Sequence, residues 1–422
     1  MGGRDPLGRV HYGWLVVFGG ALTFFSCLGL ARFAFGMILP SMGKGLSLGY
    51  DQMGYIGTAN FAGYLGSVAL APWFMRRFGA RRTISGGLAL IGACMMAMSR
   101  GNSFRAVVGL YCLTGGGSGL ATVPAVVLVG QWVSRSLRGR ALGFMSVGSG
   151  AGIIFSGFLV PSINRSFGPA GWRVDWLVLG CISLGVACLA AGILRNSPGE
   201  MGLAPLGADR IPEGPSGIRV AEPEDSSGVV SIIIRLGVLY LLFGATYMIY
   251  GTFIVTSMVQ EYGLSEASAG RFWAWVGFLS MFSGVLFGAL SDRVGRKWGL
   301  AAVFSVQAVA YGLVGGSFGV PALYLSVACY GLAAWAIPTI MGAAIVDYLG
   351  LVRAASGFSA ITFFFGAGQT AGPAVAGMVA HASQSFSPSF LIAAVLAALG
   401  AVLASMLRPP RFPGVPEGVS SP

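Results

Sequence analysis

Twelve long apolar runs dominate the sequence, and they restrict the folds open to it. A membrane-spanning helix needs roughly 20 consecutive, mostly apolar residues. Only 9% of the 422 residues are charged, whereas soluble domains contain about 25%. The sequence therefore predicts an all-α membrane protein with 12 transmembrane helices. The runs lie approximately at 12–39, 52–74, 83–98, 106–133, 141–163, 176–194, 232–258, 272–291, 298–317, 322–348, 356–380 and 389–407.

The distribution of basic residues predicts the topology. The net charge of +12 comes from arginines in short clusters between the apolar runs, which is typical of cytoplasmic loops rather than of a nucleic-acid-binding surface. With the N-terminus inside, 19 of the 26 Lys and Arg residues fall on the cytoplasmic side and six fall outside. The remaining one, Arg32, lies within the first run. Both termini are therefore predicted to be cytoplasmic.

The chain also divides into two similar halves. A proline-rich, polar segment at 195–231 separates two sets of six runs, so we predict an N-terminal six-helix bundle at 1–194, a cytoplasmic linker, and a C-terminal bundle at 232–422 with a short tail. The segment Arg-Phe-Gly-Ala-Arg at 77–81 matches Arg-Val-Gly-Arg-Lys at 293–297. Parallel six-span repeats are typical of transporters with a site near the membrane midplane.

The loop after the eighth run carries the most specific motif. Its sequence, Gly-Ala-Leu-Ser-Asp-Arg-Val-Gly-Arg-Lys at 288–297, resembles the cytoplasmic loop signature of the major facilitator superfamily. A carboxylate at a helix end beside guanidinium groups can stabilise one closed state. The first-half copy is degraded, with Arg76 and Pro72 at the positions of the acid and first glycine, and an ordinary positively charged loop is the alternative there. The predicted latch residues are Gly288, Asp292, Arg293, Gly295 and Arg296.

Three further segments resemble bacterial monocarboxylate and oxalate/formate-type members of this superfamily. They are Tyr-Gly-Trp-Leu-Val-Val at 12–17, Arg-Gly-Arg-Ala-Leu-Gly at 138–143 running into the glycines of 148–152, and the linker start at 195–207. The resemblance implies two pseudo-repeated six-helix bundles, alternating access, a small organic anion such as a carboxylate as substrate, and a bacterial inner membrane. It also implies either a coupling proton or a counter-substrate.

Arg32 is the leading candidate for binding the substrate. An arginine within a span costs about 3 kcal/mol on insertion scales, so it should face a wet cavity or a partner. Monocarboxylate transporters, which this chain resembles, carry a lysine at the corresponding place. A guanidinium there could bind a carboxylate through two hydrogen bonds. The alternative is a structural arginine that extends toward the interface or caps helix carbonyls.

The sequence also departs from the monocarboxylate pattern. Aligning the eighth run on Gly288 places Ser280 and Gly284 where those transporters carry an Asp and an Arg. Every acidic residue, Asp175 included, falls near the end of a predicted span or outside it, so a buried carboxylate that carries protons is not expected. A coupling proton would then travel on the substrate.

The other candidates for the substrate path lie on spans that line the central path in this superfamily, or beside them. Each aromatic has core packing as its alternative, and the amides could simply join helices by hydrogen bonds. The predicted substrate-binding residues besides Arg32 are Asn60, Tyr64, Tyr111, Tyr247, Tyr250, Tyr330, Trp335 and Gln369.

Several other classes of function are disfavoured. The glycines of 114–119 lack a following Gly-Lys-Ser/Thr and lie in a span, so we interpret them as close helix packing rather than a phosphate loop. The sequence has neither paired carboxylates nor a histidine cluster that would suggest an enzyme. We expect no cofactor and no metal, and we expect a monomer in the lipid membrane. An exporter of hydrophobic or cationic compounds remains the alternative, favoured by the aromatic path. Tryptophans 14, 132, 176 and 298, near span ends, are predicted interface anchors.

Overall fold

The structure is a computed structural model that describes residues 11–208 and 226–407. The middle of the predicted linker and the ends of the chain, with the predicted cytoplasmic residues Arg4, Arg9, Arg210, Arg219, Arg408 and Arg411, lie outside these described residues. Within them the backbone is helical, apart from short connections and one isolated bridge between Val133 and Leu206.

Among the described residues, besides short 3-10 helices at Gly168–Ala170 and Pro198–Met201, the first half of the chain contains six α-helices and a π-helix inside the first run. These are α1 (Tyr12–Phe24), the π-helix (Phe25–Phe33), α2 (Ala34–Gly45), α3 (Tyr50–Met98), α4 (Phe104–Trp132), α5 (Arg135–Phe167) and α6 (Gly171–Ile193). The second half follows the same pattern. It contains α7 (Ser226–Gln260), α8 (Glu266–Val294), α9 (Arg296–Gly315), α10 (Val320–Ala333), α11 (Ala336–Ser383) and α12 (Ser387–Ser405).

All twelve predicted runs lie on these helices. Eight uninterrupted stretches of the described residues are long and apolar enough to cross a membrane, and the longest, Leu137–Ile193, contains both α5 and α6. Helix α3 contains two runs, whereas α11 contains the end of the tenth run and all of the eleventh. Each of these helices turns at a glycine with positive φ, Gly79 at +80° and Gly350 at +74°. A side chain at such a φ would be strained, so glycine is the residue that allows each turn. The predicted fold class is confirmed.

The chain packs into two compact units. One contains residues 1–214 with 251–281, and the other contains 215–250 with 282–422. The start of α8 therefore packs with the helices of the first half. The boundaries at 194 and 232 rest on the sequence repeat and stay a prediction.

Glycines bring α3 and α4 of the first unit into close contact. A Cβ atom added to Gly115 would overlap the carbonyl oxygen of Asn60, and one on Gly117 would lie 2.6 Å from the carbonyl oxygen of Gly87. Small residues of this kind let helix backbones approach closely in a membrane. This contact is the packing predicted for the glycines of 114–119.

Two of the four predicted tryptophan anchors are wrong. Trp14 and Trp298 are 42% and 52% exposed, but Trp132 and Trp176 are fully buried. The Trp132 indole donates a hydrogen bond to the carbonyl of Arg195 at 2.9 Å, and its own carbonyl accepts from the amide of Leu206 at 2.8 Å. The start of the linker folds back over the end of α4 and covers the ring, an arrangement that span ends alone cannot reveal.

Candidate functional site

Arg32 lies in the π-helix, where the backbone is wider than in an α-helix. Segments of π-helix occur often at functional sites. Here the segment packs against α5 at two glycines, since a Cβ on Gly29 would lie 2.5 Å from the Cα of Gly152. On another side, the Tyr111 hydroxyl of α4 donates to the carbonyl of Ala31 at 3.0 Å and contacts that of Arg32 at 3.4 Å. Backbone packing and this hydroxyl thus support the turn that carries the arginine.

The Arg32 side chain is buried among aromatic rings. It is 7% exposed, and its guanidinium carbon lies 4.5 Å from the ring centroid of Tyr64 and 5.1 Å from that of Phe61. Such cation–π contacts leave the in-plane N–H groups available for hydrogen bonds. Within the described part of the chain, Nε and Nη2 are buried and have no hydrogen-bond partner. Neither of these two atoms therefore caps a helix carbonyl among the described residues.

Asn60 and Tyr111 complete this group. The Asn60 amide nitrogen donates to the carbonyl of Tyr111 at 3.0 Å, so part of its role is to join α3 to α4. Its Oδ1 is buried and lacks a partner among the described residues. The structure brings together four predicted site residues, Arg32, Asn60, Tyr64 and Tyr111, and offers donors and an acceptor to a small polar molecule.

The predicted site residues of the second unit also lie close to one another. The Tyr330 hydroxyl donates to the carbonyl of Tyr247 at 3.0 Å. The Gln369 amide lies 3.4 Å from the Tyr247 hydroxyl, and its Oε1 is buried with no partner in the described residues. The Trp335 ring lies 6.3 Å from that of Tyr247. Tyr247 is therefore at the centre of this second group.

Tyr250 and Tyr330 pack as core side chains. Their rings stack at 4.0 Å, and the Tyr250 hydroxyl shares a 2.9 Å hydrogen bond with Ser326. Both side chains are fully buried beside Tyr311. Their polar atoms are thus engaged within the unit, which favours the packing alternative for these two residues.

The sequence analysis missed a stack of aromatic rings beside Tyr247. Tyr240, Phe243 and Tyr247 follow one another along α7, and Phe365 of α11 lies against all three at 4.4, 5.6 and 6.0 Å with nearly parallel planes. The spacing of three and four residues on α7 was the available signal. No pattern in α11 identified Phe365 as their partner.

The predicted latch motif forms ion pairs around one arginine. Arg296 pairs with Asp292, one turn earlier, and its Nε donates to Oδ2 of Asp347 on α11 at 2.6 Å. Gly295, at a φ of +90°, forms the turn between α8 and α9. Arg293 is exposed. Asp347 was missed as a latch residue because it lies 51 positions away in the sequence.

The departures from the monocarboxylate pattern have packing explanations. Ser280 is buried and donates to the carbonyl of Gly277 at 2.8 Å. A Cβ on Gly284 would lie 2.8 Å from the Thr339 hydroxyl oxygen. An arginine at 284 would therefore collide with its neighbour, and α8 presents small residues at both places.

One acidic residue is buried, although the sequence analysis expected no buried carboxylate that carries protons. Asp175 lies near the start of α6, as the sequence suggested, yet its side chain is fully buried. Neither carboxyl oxygen has a hydrogen-bond partner in the described residues. Helices α2, α3 and α5 pack against α6, and α2 and α5 reach its first turns, where Gly45 lies against Trp172 and Asn164 lies against Gly171.

Comparison with known proteins establishes the family. A family model described as the uncharacterised MFS-type transporter YbfB matches residues 24–405. The chain belongs to this family. It is thus a transporter of the major facilitator superfamily and an integral membrane protein.

Relatives of known name extend the comparison. The MFS-type transporter pynF of Aspergillus niger is 24% identical over 67% of this chain and 62% of its own length. The oxalate:formate antiporter of Oxalobacter formigenes is 26% identical over 82% of this chain and 79% of its own. The monocarboxylate transporter 1 of Rattus norvegicus is 25% identical over 60% and 54%. The chain therefore spans less than two thirds of the first and third of these relatives. The predicted resemblance to oxalate/formate and monocarboxylate members is confirmed.

Solved structures support the fold. The transporter superposes on a bacterial homologue of the human lysosomal transporter Spinster, in an inward-facing and unoccupied conformation, with a TM-score of 0.74 at 15% identity, covering 94% of this chain and 97% of that one. A D-xylose-proton symporter gives 0.68 at 16% identity, with the same coverage. At such identities the likeness shows the fold alone.

Proposed function

We propose that this protein is a secondary active transporter of a small organic anion, most simply a carboxylate, and that Arg32 binds it. The observation that carries the proposal is the buried Arg32 guanidinium, whose Nε and Nη2 have no partner in the described residues. Two N–H groups on one edge of a guanidinium match the two oxygens of a carboxylate. An arginine held in this state without a ligand role would be a net cost to the fold.

The rest of the first group suits such a ligand. The Tyr64 and Phe61 rings contact the guanidinium without accepting hydrogen bonds from Nε or Nη2, which leaves these two atoms available within the described residues. Oδ1 of Asn60, which has no partner in the described part of the chain, can accept a hydrogen bond from a hydroxyl or a protonated carboxyl. The names of the oxalate:formate and monocarboxylate relatives support the same substrate class.

The proposed mechanism is alternating access between two six-helix bundles, at 1–194 and 232–422, joined by the linker at 195–231. The Arg296 ion pairs would stabilise one of the conformations, since they connect the α8–α9 turn to α11. The protein would act as a monomer in a bacterial inner membrane, with both termini cytoplasmic and with a coupling proton or a counter-substrate. The proposed activity is transport without chemical change of the substrate.

An exporter of hydrophobic or cationic compounds is the second candidate. The stacked rings of Tyr240, Phe243, Tyr247 and Phe365 favour it. Aromatic faces attract lipophilic cations. In that case Arg32 would be structural, and ligands would contact the second unit.

Ligand-dependent thermal stability of the purified full-length protein separates the two candidates. A ligand at about 100 times its Kd adds roughly 2.7 kcal/mol to the folded state. We expect formate, oxalate or lactate to stabilise the wild type. Arg32→Gln should weaken that effect about 10- to 100-fold in Kd, since a hydrogen bond to a charged group is worth about 1.5–3 kcal/mol.

Two variants serve as controls. Arg32→Lys keeps the charge but loses the two-pronged geometry, so it should retain part of the affinity. Arg271→Gln removes an exposed arginine at the start of α8 and should leave carboxylate binding unchanged. Stabilisation by tetraphenylphosphonium alone, unaffected by Arg32→Gln, would refute the anion proposal and support the exporter.

A further inference from the structure

Asp175 is a buried acid that the proposed substrate site does not use. Its side chain is fully buried, and both carboxyl oxygens lack a hydrogen-bond partner within 11–208 and 226–407. The adjacent Arg173 does not neutralise it, because its guanidinium donates to the carbonyls of Ser99 and Gly101 and to Asn102 at 2.8–3.1 Å. A buried carboxylate with neither donors nor a counterion is strongly disfavoured as an anion.

Asn164 of α5 carries a second unsatisfied atom close by. Its amide nitrogen donates to Oε2 of Glu266 at 2.7 Å and to the Ser41 hydroxyl at 3.1 Å. Its Oδ1 is buried and has no partner among the described residues. An ionised Glu266 can only accept hydrogen bonds, so a flip of the Asn164 amide by 180° would lose the Asn164–Glu266 hydrogen bond.

Helix geometry directs Asp175 toward this oxygen. A Cβ on Gly171 would overlap Oδ1 of Asn164, so this oxygen packs against the Gly171 face of α6. Asp175 lies four residues further on and therefore on the same face. Side chains in a helix lean toward its N-terminus, which for Asp175 means toward Gly171 and Asn164.

The chemistry of this arrangement calls for one proton. An ionised Asp175 and Oδ1 of Asn164 are both acceptors and cannot bond to each other. A protonated Asp175 has an O–H group to donate, which would satisfy both groups at once.

Other charged groups lie at the same end of the elements packed against α6. They are Lys44 of α2, Asp51 of α3 and Arg165 of α5. Lys44, Arg165 and Glu266 line a cavity of about 560 Å³, with Ser41 and Asn164 also in its wall. This cavity provides room for water next to the Asn164 amide, at the end of the unit that the sequence predicts to be extracellular.

We propose that Asp175 is a proton-binding site of this transporter and that its protonated carboxyl donates to Oδ1 of Asn164. The proton comes from water in the cavity and converts the carboxylate to the acid, with no other bond made or broken. Asp175, Asn164 and Glu266 form what we call the acid–amide cluster. Its use in transport rests on the proposed transport function, whereas its protonation does not.

The acid–amide cluster connects protonation to the packing of α8. Along most of its contact with α5, the first part of α8 packs through glycines, with Cβ positions of Gly157 and Gly150 at 2.6 and 2.8 Å from the carbonyl oxygens of Gly270 and Gly277. The Asn164–Glu266 bond is the polar contact at the end of this stripe. Loss of the proton would leave Asn164 facing a carboxylate and would favour separation of α8 from α5 at that end.

Infrared spectroscopy of the purified full-length protein tests the protonation without any substrate. At neutral pH, the wild type should show the carbonyl-stretch band of a protonated carboxyl group, and Asp175→Asn should lack it. Asp51→Asn, which removes a part-exposed acid at the start of α3, should keep the band. If Asp175→Asn does not fold, wild type grown with carboxyl-¹³C aspartate should show the band shifted. A wild type with carboxylate bands only would overturn the proposal.

Cysteine labelling tests the connection to α8. Ala267 is exposed beside the cavity. In an Ala267→Cys variant, the rate at which maleimide labels the new cysteine is followed by mass spectrometry. The labelling rate is compared between Ala267→Cys alone, which retains Asp175, and Ala267→Cys combined with Asp175→Asn. The two rates should be similar at acidic pH, and the protein that retains Asp175 should react severalfold faster at alkaline pH. Deprotonation of the new cysteine at alkaline pH accelerates labelling equally in both proteins and therefore cancels in the ratio of the two rates. A pH-independent ratio would refute the connection, while a failure of carboxylates to stabilise the protein would refute only the substrate proposal.

Discussion

Two adjacent glycines of α3 allow the close packing of this transporter to be tested quantitatively. Gly87 is buried, and a Cβ added there would lie 2.6 Å from the carbonyl oxygen of Gly117 and 3.1 Å from the amide nitrogen of Ala121. Gly86 is exposed, and a Cβ there would have no neighbour within 4 Å. The same substitution, Gly→Ala, therefore meets backbone at one position and open space at the next.

The expected free energies follow from two terms. Alanine gains up to about 1 kcal/mol of helix propensity over glycine at either position, so this term cancels in the comparison. At Gly87 the new methyl needs about 1 Å of additional space from a rigid backbone. Overpacking of this kind costs about 1–3 kcal/mol. Gly87→Ala should thus be less stable than Gly86→Ala by about that amount, with Gly86→Ala at or slightly above the wild type.

Thermal unfolding in detergent, followed by tryptophan fluorescence, measures this difference. With an unfolding entropy of about 2.1 cal/mol/K per residue, 1–3 kcal/mol corresponds to a Tm difference of at least about 1–3 °C for 422 residues. The shift is larger if unfolded helices stay helical, because the entropy is then smaller. Equal Tm values for the two variants, or a more stable Gly87→Ala, would show that α3 and α4 are not in close backbone contact.

Two further substitutions test the surroundings of Arg32 and the latch. Tyr111→Phe removes the hydroxyl that donates to the carbonyl of Ala31. It should lower the free energy of unfolding by about 1 kcal/mol and should also lower carboxylate affinity. Equal affinity of this variant and the wild type, measured by the ligand-induced shift in Tm, would show that Tyr111 does not support the Arg32 site. Arg296→Gln should lower Tm, and the loss should shrink at high salt, because partly exposed ion pairs contribute about 1 kcal/mol or less and are screened. Arg293→Gln, at an exposed site, should leave Tm unchanged, and equal losses for both variants would rule out a specific latch.

The fold could be predicted because its signals are local. A run of about 20 apolar residues determines a spanning helix on its own. Arg32 was equally visible, since one charge within an apolar run is conspicuous. These features needed no knowledge of which helices are neighbours.

The features that sequence analysis missed depend on neighbours that are distant in the sequence. Trp132 is buried because the linker start folds over it, and Asp347 meets Arg296 from another helix. Asp175 was placed correctly near a helix end, but its burial follows from the packing of α2, α3 and α5. Position along a helix gives depth in the membrane, while burial within the bundle depends on the tertiary fold.

The first unit contains two buried side chains of opposite charge type, Arg32 and Asp175, each with polar atoms that lack a partner in the described residues. Their chemistry differs in the way each can be satisfied. A guanidinium stays protonated in proteins, so Arg32 can be satisfied only by an acceptor brought from outside. A carboxyl group can gain or lose its proton, so Asp175 can be satisfied in place. The same physical problem, an uncompensated polar group in a close-packed bundle, is therefore the common ground of the two proposals, a ligand at Arg32 and a proton at Asp175.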